Sequence, residues 1–70
     1  MKYAIVIEKT TSNFSAYVPD LPGCVATGAT ASETEQRLRE AIEFHIAGMR
    51  EDESPIPIPV AQVEYIEVTS

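Results

Sequence analysis

Cys24 and His45 are the two side chains of this 70-residue chain with nucleophilic or basic chemistry near neutral pH, and neither stands in a pattern that would use it. A thiolate nucleophile needs its pKa lowered by a helix start or a nearby cation, and a base within reach. The chain holds one histidine, and no second His or Cys follows at metal-ligand spacing on its helix. Cys24 is therefore read as a small buried hydrophobe and His45 as a packed imidazole. The carboxylates say no more. Two-metal phosphodiester chemistry needs several of them converging on ions about 3.5–4 Å apart. The strand regions offer Glu8, Asp20, Glu64 and Glu67, with no Asp at a strand centre. No catalytic residue, metal ligand or cofactor-binding residue is assigned, and no cofactor is expected.

Charge narrows the partners. Eleven acidic residues against five basic ones give a net charge of -6, a field that repels phosphate backbones. Direct nucleic-acid binding is not expected, whereas a basic protein would be steered toward this surface with a salt-sensitive on-rate. A single cysteine and the lack of a secretory leader pattern point to a reducing, cytoplasmic setting. The longest apolar runs are only a few residues, against the roughly 20 that a membrane helix needs. No membrane association is expected.

Residues 1–70 are read as one domain, near the size below which a single core struggles to sustain itself, so self-association as a dimer or tetramer would help it. Tyr3–Ile7 is rich in β-branched residues, and Thr10–Asn13 supplies turn chemistry before a second strand, Phe14–Val18. There Phe14, Ala16 and Val18 alternate with Ser15 and Tyr17, the period of a sheet covered on one face. Pro19-Asp-Leu-Pro-Gly23 breaks that strand, because each proline lacks an amide donor. A short third strand, Cys24–Thr27, completes an antiparallel meander.

Thr30 and Ser32 each precede a glutamate by three residues, which fixes a helix start. Thr34, Leu38, Ala41, Ile42, His45, Ile46 and Met49 then recur on one helical face, which must cover the sheet. Glu33–Arg37 and Glu35–Arg39 are i,i+4 pairs on the exposed side. Alternate prolines in Ser54–Val60 demand an extended connector, and Val63–Val68 reads as a last strand. A right-handed crossover would lay it parallel to the first strand, in the order 3-2-1-4. The fold class is α+β, β-β-β-α-β, an antiparallel meander with one helix on one face.

Some large side chains fall outside the core pattern. Phe44 sits off the apolar stripe of the helix, and Tyr17 and Tyr65 lie on strands where the helix does not cover them. Aromatic residues so placed suit interfaces, because they bury much area at low entropic cost. Tyr17, Phe44, Tyr65, Glu40 and Glu43 are the candidate interface residues.

One ordered set of motifs carries a resemblance. Val18-Pro-Asp-Leu-Pro-Gly-Cys24, Gly28-Ala-Thr30, Ala41-Ile-Glu-Phe-His45, Gly48-Met-Arg-Glu51 and Pro55-Ile-Pro57 resemble the HicB-like antitoxin family over nearly the whole chain. The resemblance implies a β-β-β-α-β core of partial ribonuclease H-like type. It also implies an antitoxin that binds a small basic HicA-type toxin, an mRNA-cleaving ribonuclease, and occludes it without chemistry of its own. Ala29 departs from the acidic residue often found between that glycine and threonine. Many members carry a C-terminal DNA-binding segment; none is recognised in these 70 residues, so this looks like a short form and operator binding is not expected. Two other readings compete: a stand-alone homo-oligomeric structural or regulatory module without a toxin, and a residual metal-dependent nuclease.

Overall fold

The computed structural model of the chain describes residues 1–69. Three strands, β1 (Val6–Lys9), β2 (Phe14–Tyr17) and β3 (Val25–Gly28), form an antiparallel sheet in the order β1-β2-β3, and α1 (Ala31–Glu51) crosses one face. The β1–β2 turn closes because Thr10 N–H donates to the Asn13 carbonyl at 2.8 Å while the Thr10 hydroxyl accepts from Asn13 N–H at 3.1 Å. In the β2–β3 turn, Val18 N–H donates to Cys24 and the Val18 carbonyl accepts from Leu21 N–H. Val18 is thus occupied on the β3 side, and Pro19 has no amide to give. That is why β1 pairs with β2 only from Val6, opposite Tyr17, and not from Tyr3 as the β-branched run suggests. Tyr3 and Ile5 still pack against the core ahead of the ladder.

Ala16, Val18, Leu21, Cys24 and Leu38 form the core, with Leu21 and Leu38 fully enclosed. The helix start is held as the sequence requires: the Thr30 hydroxyl accepts from Glu33 N–H at 3.0 Å. Glu33 does not reach back to complete a reciprocal box but pairs with Arg37 at 2.8 Å, and Glu35 pairs with Arg39 at 3.0 Å. Both pairs are exposed and contribute little to stability. Arg37 also donates to the Thr27 carbonyl at 2.9 Å, tying the helix to β3.

Gly28 lets the helix start lie against the sheet. A Cβ built there would come within 2.6 Å of Thr34 Oγ1 and 3.0 Å of Thr34 N, and Thr34 is itself fully buried. Gly28→Ala is therefore expected to destabilise the fold by about 1–3 kcal/mol, the usual cost of overpacking, as read from a denaturant midpoint.

The helix ends in a six-residue closing motif: Ser54 N–H donates to Met49 and Glu53 N–H to Arg50, with Glu53 at φ 55°. Pro55 follows, so the helix cannot resume. The connector is then stapled to the domain. Tyr3 O–H donates to the Pro57 carbonyl at 2.6 Å, and the Asp20 carboxylate accepts from Val60 N–H at 3.1 Å and Ala61 N–H at 3.0 Å.

Beyond Ala61 the structure departs from the sequence reading. Residues 62–69 pair with no strand, so the fourth strand expected beside β1 is absent among the described residues. The segment projects outward with Tyr65, Ile66 and Val68 at least 79% exposed. The longest dimension is 48 Å and the radius of gyration 13.8 Å. A compact chain of this length would have a radius near 11 Å, so the molecule is elongated.

Candidate interaction surface

Each candidate residue can be traced to the element that presents it. The β registers set Val6, Tyr17 and Val25 side by side in one row across the sheet. Side chains alternate along a strand, so with Ala16 pointing into the core this row lies on the face away from the helix. Tyr17 is 42% and Val25 64% exposed there. The sheet thus carries an open apolar row on the face that the sequence alternation leaves uncovered.

On the helix, Glu40, Glu43 and Phe44 stand at i, i+3 and i+4 and share the solvent side. Phe44 is 83% exposed, so the Pro55–Pro59 connector does not cover it. An aromatic ring flanked by two carboxylates is what a basic partner with an apolar centre would meet. Tyr65 lies on the projecting tail and is 95% exposed. The five candidates therefore do not form one patch. Three of them share the helix, Tyr17 is on the opposite side of the sheet, and Tyr65 stands apart on the tail. Sequence reasoning missed Val25, because a single valine in a short strand carries no sign of which face it takes until the register is known.

The two residues with intrinsic reactivity are both at least half-buried. Cys24 is buried in the core, and burial pushes its thiol pKa up, away from the thiolate form. His45 is half-buried, with Nε2 enclosed and without a hydrogen-bond partner among the described residues. Asp20 spends one carboxylate oxygen on two connector amides, a positioning role that spacing along the chain does not reveal. Among the described residues no three His, Cys, Asp or Glu side chains come together as metal ligands do. Nor, among those residues, is any helix long and apolar enough to cross a membrane.

The fold and its exposed residues define a small α+β domain, a three-stranded meander under one long helix, with aromatic and acidic side chains set on open faces. Comparison with known families makes the assignment definite: residues 3–69 match the family described as HicB_like antitoxin of bacterial toxin-antitoxin system, and the chain belongs to it. Curated relatives include a 14.9 kDa uncharacterised protein from the rep-hol intergenic region of Haemophilus phage HP1, 47% identical over 57 residues. That alignment spans 81% of this chain but 43% of the phage protein, so the chain matches less than half of that relative. A UPF0150 protein of Archaeoglobus fulgidus is 37% identical over 91% of this chain and 97% of its own length. Among solved structures, a chain of the HicA3 and HicB3 toxin-antitoxin complex superposes with a TM-score of 0.71 at 33% identity, covering 86% of this chain and 70% of that one.

Proposed function

We propose that this protein is an antitoxin that acts in the cytoplasm by binding a small basic HicA-type toxin and covering the surface with which that toxin cleaves messenger RNA. The superposition on a chain from a toxin-antitoxin complex, with a family match across residues 3–69, is the observation that carries this reading. Charge supports it: at -6 the chain suits a basic protein and not a nucleic acid. The helix face supports it too, since Glu40 and Glu43 supply the acidic field and Phe44 the apolar anchor. Occlusion needs contact and no bond-making, which agrees with a buried thiol and with an Asp20 carboxylate already engaged by backbone amides.

Calorimetric titration of the purified chain with a HicA-type protein encoded beside it tests the proposal. A complex is expected whose affinity falls as salt is raised from about 50 to 500 mM, because screening shortens the reach of the acidic field. Absence of any complex at low salt would remove the proposal.

A further inference from the structure

The tail and the outer edge of β1 are two unfinished halves of one sheet. Val63, Tyr65, Ile66 and Val68 sit on an extended segment and are between 51% and 95% exposed. Its two faces carry two apolar residues each, Val63 and Tyr65 on one and Ile66 and Val68 on the other, as in a strand covered on both sides. Unpaired backbone and exposed apolar side chains together make a template that another chain can complete.

A matching vacancy lies along β1. Between the approach to β1 and the helix runs a groove of about 470 Å³, floored by Tyr3, Ile5, Leu38 and Ile42 and rimmed by charges of both signs, Lys2 and Arg39 with Glu35 and Glu43. The outer side of β1 has no neighbouring strand, whereas the outer side of β3 is obstructed, since Arg37 already takes the Thr27 carbonyl. Lengths agree as well. Six residues from Val63 to Val68 span roughly 20 Å as a strand, and Tyr3–Lys9 spans about the same.

We infer that two copies of this chain exchange their tails, Val63–Val68 of each pairing with the outer edge of β1 in the other. The staples at Pro57, Val60 and Ala61 fix where the tail leaves the domain, and beyond them it pairs with none of its own strands and stays exposed. A second copy is the favoured occupant because it brings both halves at once, in equal number and by one two-fold operation. Reciprocal exchange buries two tails and two grooves, on the order of the 1,200–2,000 Å² found in stable interfaces. The groove shares Glu43 with the helix face assigned to the toxin, and the tail variants below, which leave Glu43 in place, separate the two readings.

Light scattering of the full chain should give twice the mass of one chain at about 100 µM and a smaller value on dilution. Adjacent strand amides point to opposite sides, so one of Tyr65→Pro and Ile66→Pro removes an amide facing β1. That variant should weaken the dimer at least tenfold. Both substitutions lie on an exposed segment, so the circular dichroism of the helix should stay unchanged. Placement is read under oxidation by mixing Lys2→Cys chains with Val63→Cys chains, which meet if the tail runs parallel to β1, or with Val68→Cys chains, which meet if it runs antiparallel; one of the two mixtures should yield disulfide-linked pairs, with Cys24 too buried to compete. Several results would overturn the inference. They are a monomer at every concentration, a dimer indifferent to both prolines, or a disulfide that forms only within a doubly substituted single chain. Prolines that abolish binding to the HicA-type protein but leave the dimer intact would assign the tail to the toxin instead.

Discussion

Leu38→Ala should lower the stability of the domain by about 2–5 kcal/mol, the cost of a cavity where a fully buried leucine stood. Leu38 is 0% exposed and meets the core at the point where the helix crosses the sheet. A 70-residue chain is expected to have only ~4–10 kcal/mol of total stability. One truncation thus removes a large share, and at the upper end leaves a substantial unfolded fraction at 37 °C. The neighbourhood cannot collapse readily to refill the space. Leu21 is equally enclosed, and the strands are four residues long and already fixed by their ladder. Urea denaturation followed by circular dichroism measures the effect, and a change below about 1 kcal/mol would mean that the helix is not seated on the sheet as described.

Phe44→Ala should act in the opposite sense, leaving stability within about 0.5 kcal/mol of the parent while weakening the toxin complex by 2 kcal/mol or more, roughly 30-fold. The separation follows from exposure. A side chain that is 83% exposed contributes little to the folded monomer, yet an aromatic ring at the centre of an interface is where binding energy concentrates. Glu40→Lys and Glu43→Lys complement it, since reversing a rim charge mainly slows association and flattens its salt dependence. A Phe44→Ala protein that binds the toxin as tightly as the parent would move the contact surface elsewhere, with the open row of Val6, Tyr17 and Val25 next in line.

Local signals served well wherever the chain folds on itself. The alternation around Ala16 placed β2, the Pro19–Gly23 turn ended it, and the Thr30 cap and the Glu33 and Glu35 pairs with arginines appear as their spacing requires. The apolar stripe of α1 was also legible, though the structure encloses only Thr34 and Leu38 fully. A 21-residue helix is about 31 Å long and a four-residue strand about 13 Å, so Ala41 and Ile42 still pack against the core while Ile46 and Met49, farther along, stay half-covered. Sequence spacing has no access to that mismatch. The tail shows the same limit more sharply. Val63–Val68 has the composition of a strand, but whether it pairs depends on which edge its backbone can reach, and the Asp20 and Tyr3 staples decide that through contacts 40 or more residues away in sequence. The interface residues were legible as types and not as a site, because Tyr17, Phe44 and Tyr65 acquire their separate positions only from the three-dimensional fold.

The most direct test is a titration of toxin-catalysed RNA cleavage with this protein. Purified HicA-type toxin is held at fixed concentration on a messenger RNA substrate while the chain is added. Occlusion predicts that cleavage falls in proportion to the chain added and reaches background at a fixed whole-number ratio, with recovery of activity when high salt separates the complex. Cleavage that continues unchanged with the chain in excess, under conditions where the two proteins are seen to bind, would contradict an antitoxin that works by covering its target.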